Sequence, residues 1–267
     1  MKKFAILGAG NLGGAIARGL VAKNVCAATE IVCTAAGDAT LVRRAEELPG
    51  ISGTKDNLAA ARSAETVILT VKPWLVEPVL SEIRAAFIGD AFPRRLVSAA
   101  AGVTLAQLRK ILGPDAEIPI FVAIPNTAIA VAQSMTFVAA EPNAPAAERD
   151  AVGKIFSALG RVVFVPETQL AAGTALASCG IAFAMRYVRA STEGAVELGL
   201  RAALAREAAL QTLLGAAELL LENGEHPESA IDKVTTPGGL TIRGLNKLEE
   251  CGFSHAVVAA LRASCSR

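Results

Sequence analysis

The first part of the chain alternates short apolar runs with longer amphipathic segments. The apolar runs are nearly continuous, which is typical of parallel strands covered on both faces. They occupy residues 3–8, 30–34, 66–71, 96–98, 118–123, 136–139 and 162–165. Helical spacing occupies residues 75–86, 104–111 and 146–158. This alternation of strands and helices predicts an α/β fold with a doubly wound sheet.

The pattern changes after Pro166, because no further β-rich run follows. Ala, Leu and Glu fill residues 168–223 at helical spacing, with breaks predicted at Gly199-Leu200 and Asn223-Gly224. We therefore predict a Rossmann-type domain over 1–166 and an all-helical domain over 167–267. The helical part has more apolar surface than one short bundle covers, which favours interleaving with a second copy as a dimer. A compact monomeric bundle is the alternative.

A glycine-rich segment follows the first predicted strand directly. It is Gly8-Ala9-Gly10-Asn11-Leu12-Gly13, and an Ala-rich helical run comes after it. Between a strand and a helix, G-x-G-x-x-G is typical of dinucleotide sites: the first glycine makes the tight turn, the second admits the pyrophosphate and the third lets helix and strand pack closely. The sequence therefore predicts a dinucleotide cofactor.

The end of the second predicted strand indicates which dinucleotide. Thr34-Ala35-Ala36 holds no carboxylate that would bind the ribose 2′-hydroxyl of NAD. Asp38 follows later, where we expect it to cap a helix over 41–48. Arg43 and Arg44 lie in that helix, so no arginine of the turn itself is placed to bind a 2′-phosphate. The missing acid favours NADPH, with NADH as the alternative.

Two loops end predicted strands at the edge where doubly wound sheets bind ligands. Thr70-Val71-Lys72-Pro73 ends the strand predicted at 66–71, and Ile124-Pro125-Asn126-Thr127 ends the strand predicted at 118–123. Asn126 offers an amide that can bond a carboxamide or the backbone. Lys72 is compatible with a general acid, although a solvated loop lysine is more usual.

A third segment lies near the end of the chain, at Pro237-Gly238-Gly239-Leu240-Thr241. An amphipathic pattern begins at once, and free amides at a helix start bind anions such as carboxylates. The glycines allow a ligand to approach the backbone closely. A plain helix start after a tight turn is the alternative.

Composition excludes several classes of function. The net charge is +1 without a basic block, so nucleic acid is not an expected partner. No uninterrupted apolar run reaches the roughly 18 residues that span a bilayer, and the first strand leaves no room for a signal peptide. Five cysteines without C-x-x-C spacing indicate reduced thiols, hence a cytoplasmic protein. Two histidines, His226 and His255, provide no metal cluster, and both are expected to be structural.

Taken together, these motifs resemble the pyrroline-5-carboxylate reductases, over nearly the whole chain. That family reduces the cyclic imine 1-pyrroline-5-carboxylate to L-proline with NAD(P)H, the last step of proline biosynthesis. The resemblance rests on the glycine turn, Lys55-Asp56-Asn57, Val71-Lys72-Pro73, Ala100-Ala101-Gly102-Val103-Thr104, Pro125-Asn126-Thr127 and Pro237-Gly238-Gly239-Leu240-Thr241-Ile242. The last of these segments is the most specific to the family.

The resemblance implies a helical dimerisation domain, and an active site between one subunit's cofactor and its partner's Pro-Gly-Gly-x-Thr loop. It also implies larger assemblies, such as a pentamer of dimers. Substrate binding is expected at Gly238, Gly239, Leu240 and Thr241, with Thr241 as the catalytic residue. Cofactor binding is expected at Gly8, Gly10, Asn11, Leu12, Gly13, Thr34, Asn57, Val71, Lys72, Pro73, Ala101 and Asn126.

The chain departs from the family pattern at several positions. They are Val122 and Ala128 around the Pro-Asn-Thr segment, Cys179 and Ile181 at the start of the long helix, and Arg189 within it. A related reductase for another cyclic imine therefore stays open. So do a β-hydroxyacid-type dehydrogenase, although residues 173–199 hold none of the lysines it requires, and a non-catalytic NADP-binding regulator.

Overall fold

A computed structural model describes residues 2–89 and 94–265. In this part of the chain eight strands form one sheet: β1 Lys2–Leu7, β2 Ile31–Thr34, β3 Ser52–Thr54, β4 Ala64–Leu69, β5 Arg95–Ser98, β6 Ile120–Ile124, β7 Ser134–Ala140 and β8 Gly160–Phe164. The helices are α1 Asn11–Ala22, α2 Asp38–Glu47, α3 Asn57–Arg62, α4 Val76–Ile83, α5 Leu105–Leu112, α6 Ala146–Ser157, α7 Leu170–Gly173, α8 Gly180–Glu197, α9 Ala202–Asn223, α10 Pro227–Lys233, α11 Leu240–Glu250 and α12 Phe253–Cys265.

The strand order is β3-β2-β1-β4-β5-β6-β7-β8. All neighbouring strands are parallel except β6 and β7, which are antiparallel. The doubly wound α/β class predicted from the pattern is confirmed. The register pairs Leu7 with both Thr34 and Leu69, and Leu69 with Ser98. Four strands therefore end level, and the loops that follow them lie side by side.

Alternation along β1 explains why helices cover both faces of the sheet. Ala5 and Leu7 point into one apolar cluster, whereas Phe4 and Ile6 point into the other. The first cluster includes side chains of α3, α4 and α5, and the second includes side chains of α1 and α6. Burial on both faces is the reason the strands appear as continuous apolar runs.

Two local expectations from the sequence need correction. The short strand β3 was not predicted, because Ser52-Gly53-Thr54 lacks an apolar run; it forms through pairing with Val32, Cys33 and Thr34 of β2. Asp38 does not cap the second helix. It is the first residue of α2, whose N-cap is Gly37, and its carboxylate pairs with Lys55 Nζ at 2.8 Å.

Internal contacts divide the chain into two compact units, Met1–Ser178 and Cys179–Arg267. The predicted boundary after residue 166 stays a prediction. In the described part of the second unit every element is helical, and the predicted breaks are confirmed: α8 ends before Gly199, and Gly224 caps α9 with a φ of 61°. His226 is the N-cap of α10, where it accepts a hydrogen bond from the Glu228 amide, and His255 lies in α12.

The second unit by itself contains little buried surface. Across its described residues, 179–265, only Ala205 is buried. On α9, Leu210, Leu214 and Leu221 are 52%, 51% and 68% exposed, and their spacing places them on one face. We call these three residues the leucine stripe. Glu207, Gln211, Glu218 and Glu222 form a polar stripe beside it on the same helix.

Candidate functional site

A cleft of about 1020 Å³ lies along the level strand ends of the first unit. Its size is at the upper end of ordinary ligand pockets, about 300–1,000 Å³. The loops after β1, β2, β4 and β5 all contribute to it, through residues such as Gly10, Ala35, Lys72 and Ala100. This is the edge at which doubly wound sheets bind dinucleotides.

The three motif glycines are explained by three different steric facts. Gly8 has a φ of +103°, and a Cβ there would lie 2.9 Å from the Val71 amide nitrogen. A Cβ at Gly13 would lie 2.4 Å from the Gly8 carbonyl oxygen. A Cβ at Gly10 would meet no atom of the described residues within 4 Å, and Gly10 lines the cleft. The fold therefore requires glycine at Gly8 and Gly13. At Gly10 the missing side chain instead leaves room in the cleft for a ligand to approach the backbone.

The start of α1 supplies hydrogen-bond donors to this cleft. Gly10 is its N-cap and makes no side-chain cap bond. The amides of Asn11, Leu12 and Gly13 belong to the first turn, where a helix has no acceptor of its own. Together with the helix dipole, they form an anion site of the kind that binds a pyrophosphate.

A cluster of charged side chains lies between α1 and α2, and the sequence did not reveal it. Arg18 and Arg44 line the cleft, and both guanidinium groups pair with the carboxylate of Glu47, Arg18 at 2.5 Å. The Arg44 side chain is only 4% exposed, and burial lowers its pKa while Glu47 opposes the shift. Its Nε has no hydrogen-bond partner among the described residues.

One sequence feature could have revealed the position of Arg44. Gly14 extends the glycine motif by one residue, and a Cβ there would lie 2.3 Å from the Arg44 guanidinium. The extra glycine in α1 therefore marks the place where an arginine from α2 packs. Arg44 lies in a helix beyond the turn, as expected, but its side chain lines the cleft.

Ten of the residues expected to bind cofactor line the cleft: Gly8, Gly10, Asn11, Leu12, Thr34, Asn57, Val71, Lys72, Pro73 and Ala101. Gly13 and Asn126 are not among the lining residues. Asn126 is used by the fold instead: its Oδ1 accepts from the Ala128 amide at 3.0 Å, and its Nδ2 donates to the Ala177 carbonyl at 3.3 Å. Thr127, the next residue, lines the cleft. The binding roles themselves stay predictions.

The Pro-Gly-Gly-x-Thr segment forms the start of α11 in the second unit. Gly238 has a φ of +71°, a conformation that favours glycine, and Gly239 is the N-cap. The Gly239 amide donates to the Thr236 carbonyl at 2.9 Å, so it is already used within the turn. The first-turn amides of Leu240 and Thr241 remain for an anion, and both side chains are exposed.

No group of three or more His, Cys, Asp or Glu residues that could hold a metal occurs among the described residues. All five cysteines are free. Burial raises the pKa of Cys33 to about 12 and that of Cys26 to about 11, so both stay as thiols at neutral pH.

Comparison with known families matches both parts of the chain. A model for pyrroline-5-carboxylate reductase dimerisation matches residues 167–267, and a model for coenzyme F420-dependent NADP oxidoreductases matches residues 3–102. Pyrroline-5-carboxylate reductase 2 of Dictyostelium discoideum is 37% identical to this chain, over 100% of it and 92% of that protein. The chain belongs to the pyrroline-5-carboxylate reductase family.

Solved structures agree with this family membership. A pyrroline-5-carboxylate reductase from Coxiella burnetii is 29% identical, with a TM-score of 0.88 over 99% of this chain and 96% of that one. A pyrroline carboxylate reductase from Plasmodium falciparum, crystallised with NADP bound, has a TM-score of 0.87 over 99% and 95% of the two chains. At 24% identity that second likeness shows the shared fold.

The family also bears on one apolar helical stretch. By length and composition Glu167–Glu197 is able to cross a membrane, with a mean hydropathy of 1.3 and 22% of its apolar window buried. It is not an uninterrupted apolar run, so its sequence alone does not mark it as a span. Helices that pack inside soluble proteins have the same composition, and this stretch lies within the matched dimerisation region.

Proposed function

We propose that this chain reduces 1-pyrroline-5-carboxylate to L-proline, with NADPH as the preferred reductant. The observation that carries the proposal is that a chain of this family has both a glycine-lined cleft and a Pro-Gly-Gly-x-Thr helix start. The first binds a dinucleotide, and the second binds a carboxylate. A reductase for an imino acid needs both.

The cleft fits a nicotinamide dinucleotide on steric grounds. Gly10 leaves the cleft open beside the free amides of α1, which would hold the pyrophosphate. Thr34 and Asn57 would bind the adenosine ribose, and Val71, Lys72 and Pro73 would border the nicotinamide, with Ala101 beside them. When bound, the cofactor supplies the hydride that reduces the carbon–nitrogen double bond.

Preference for the phosphorylated cofactor is supported by charge. No carboxylate follows Thr34 at the end of β2, so nothing there would repel a 2′-phosphate. Arg18 and Arg44 line the cleft and share one counter-ion, Glu47, which leaves this cluster with a net positive charge. Guanidinium groups bind phosphate through paired, charge-assisted hydrogen bonds.

The substrate carboxylate would lie at the start of α11, on the amides of Leu240 and Thr241. Gly238 and Gly239 shape this turn and allow close approach. No basic side chain is needed, since helix N-termini bind carboxylates through amides and dipole. The Thr241 hydroxyl would bond the ring nitrogen and pass a proton to it from water, because a protonated imine accepts a hydride more readily.

We further propose that the functional unit is a homodimer in the cytoplasm, and that dimers assemble into rings such as a pentamer of dimers. The match to a dimerisation model and the exposed leucine stripe support self-association. In this arrangement the start of α11 faces the cofactor of the partner subunit. Five free cysteines are consistent with a reducing compartment.

A panel assay tests the proposal. The purified protein is given pyrroline-5-carboxylate and cyclic imines of other ring size, each with NADPH or NADH. It is also given β-hydroxyacids in the oxidative direction, with NADP⁺ or NAD⁺ at the same ionic strength. We expect the highest kcat/KM for pyrroline-5-carboxylate with NADPH. A higher value for another imine would move the substrate assignment, as the departures at Val122 and Cys179 allow. Turnover of β-hydroxyacids alone would overturn it, and cofactor binding without any turnover would make the chain a regulator.

A further inference from the structure

Thr70 lies where the end of β4 meets the glycine turn. Its amide donates to the Leu7 carbonyl at 2.8 Å, which continues the pairing between β4 and β1. Its hydroxyl makes a separate contact, with the Gly8 carbonyl oxygen at 2.7 Å and the Leu7 carbonyl oxygen at 3.1 Å. The side chain is half-buried, and Thr70 also lines the cleft.

The Gly8 carbonyl is held by two donors, one from the glycine turn and one from outside it. One is the Gly10 amide at 2.8 Å, and the other is the Thr70 hydroxyl. A Cβ on Gly13 would lie 2.4 Å from this carbonyl oxygen and 2.6 Å from Thr70 Oγ1. The carbonyl is therefore held beneath the first turn of α1, together with the hydroxyl.

Glycine makes this anchoring necessary. Gly8 has no Cβ and adopts a φ of +103°, a region where glycine moves between conformations at little cost. A carbonyl oxygen carries partial negative charge, so a Gly8 peptide that rotates toward the cleft would repel a pyrophosphate. The Thr70 hydroxyl opposes that rotation from a separate strand, while the first-turn amides of α1 stay available to the anion.

We propose that Thr70 is a positioning residue for the cofactor: through its hydroxyl it holds the Gly8 carbonyl away from the site where the pyrophosphate binds. The proposal rests on the dinucleotide site of the proposed function. It predicts that a substitution which removes the hydroxyl but keeps the shape of the side chain weakens cofactor binding and leaves the rate of the reduction step unchanged.

The test compares three variants with wild type. Thr70→Val keeps the side-chain shape and removes the hydroxyl, whereas Thr70→Ser keeps the hydroxyl. Thr66→Val is the matched control, because Thr66 is a buried threonine of β4, the strand that Thr70 follows, and its hydroxyl bonds Arg95, outside the cleft. Calorimetry gives the Kd for NADP⁺ and for ADP-ribose, which has the pyrophosphate but no nicotinamide. Melting curves and steady-state kinetics are recorded alongside.

We expect Thr70→Val to raise both Kd values and the KM for NADPH about tenfold, the usual effect of losing one hydrogen bond of this kind, with little change in kcat. Thr70→Ser should stay within about threefold of wild type on the same hydrogen-bond argument. Thr66→Val should lower the melting temperature and leave both Kd values unchanged.

Three results would overturn the proposal, and they differ in what they mean for the proposed function. If wild type binds NADP⁺ and Thr70→Val binds it equally well, the hydroxyl has a structural role only and the proposed function stands. If wild type binds neither NADP⁺ nor ADP-ribose, the dinucleotide site is wrong, and the proposed function fails with it. Equal weakening in Thr70→Val and Thr66→Val would indicate a general loss of stability and would also overturn the positioning role.

Discussion

The two compact units, Met1–Ser178 and Cys179–Arg267, differ in how far they bury their apolar residues. The first unit buries two apolar clusters on the two faces of its sheet, and six of its strands, β1, β2, β4, β5, β6 and β7, contribute to both. Among the described residues of the second unit only Ala205 is buried, and the leucine stripe is exposed. The first unit therefore contains its own core, whereas the second leaves its apolar residues for another surface, in agreement with the match of residues 167–267 to a dimerisation model.

The two glycine-containing helix starts, before α1 and before α11, differ in a related way. Gly8 and Gly13 are constrained by Val71 and Thr70, which are distant in sequence and approach through the sheet. A Cβ at Gly239 would instead meet only Thr236, three residues earlier. The cofactor turn is specified by tertiary contacts, and the Pro-Gly-Gly turn by its local sequence. Substitutions in the two regions should therefore fail in different ways.

The largest expected effect comes from a pair of glycine substitutions in the first unit. Gly10→Val should fold normally, because its Cβ would meet no described atom. It should weaken cofactor binding by roughly a thousandfold or more, because the side chain would occupy the place of the pyrophosphate in the cleft. Gly13→Val should instead unfold the domain, since its Cβ would clash with the Gly8 carbonyl. Circular dichroism and NADP⁺ calorimetry separate the two. Unchanged affinity in folded Gly10→Val would contradict the site.

The second expected effect concerns Thr241, in the locally specified turn. Thr241→Ala should lower kcat by roughly ten- to a thousandfold, the range for one proton relay or transition-state hydrogen bond. Thr241→Ser should keep much of the activity, because the hydroxyl remains. The measurement is steady-state kinetics with pyrroline-5-carboxylate, together with a melting curve for each variant. If the alanine variant turns over like wild type and only its stability falls, Thr241 belongs to the helix start and not to the chemistry.

A third substitution tests whether a second copy covers the second unit. Leu210→Glu places a charge on the leucine stripe and should weaken the dimer roughly a hundredfold, because burying an unpaired charge is costly. Gln211→Glu adds the same charge one residue along, on the polar stripe, and should leave the dimer intact. Light scattering across a concentration series measures both. Wild type that is monomeric at micromolar concentration would refute the interleaved dimer altogether.

A smaller effect is expected at the charge cluster between α1 and α2. Arg18→Gln should weaken NADPH binding about tenfold and leave NADH binding nearly unchanged, because only NADPH carries the 2′-phosphate. Arg62→Gln, at an exposed position of α3 outside the cleft lining, is the control. Titration of both cofactors at fixed salt gives the ratio. An equal loss of NADH affinity would mean that Arg18 does not bind the 2′-phosphate.

The smallest effect comes from one backbone conformation that occurs in both units. Ala132 has a φ of 56° at the end of a short 3₁₀ segment, and Gly224 has a φ of 61° at the end of α9. Ala132→Gly should stabilise the protein by about 0.5–1 kcal/mol, and Gly224→Ala should destabilise it by a similar amount. Chemical denaturation gives both values. Destabilisation by Ala132→Gly would show that strain at this position is offset by other contacts.

Much of the cofactor region was predictable from local patterns. The order of strands and helices, the glycine turn and the loops after β4 and β6 follow from runs of a few residues. The contribution of Arg44 was missed: Gly14 is a sequence signal for close packing at this place, but which side chain packs there depends on the distance between two helices. The use of Asn126, whose amide bonds Ala128 and Ala177, was missed as well. The sequence correctly placed Arg44 on a helix and Asn126 on a loop, but the residues that they contact are set by packing.

The sequence by itself determined the strands and helices, the doubly wound sheet and the glycine motif, because periodicity and turn chemistry act over a few residues. It also determined the Pro-Gly-Gly start of α11, whose constraint is local. Only the tertiary structure decided which donors hold the Gly8 carbonyl, which arginines reach the cleft, and which strand forms from Ser52-Gly53-Thr54. These features depend on segments that are far apart in sequence and that the sheet brings together, so they cannot be inferred from any short stretch of the sequence.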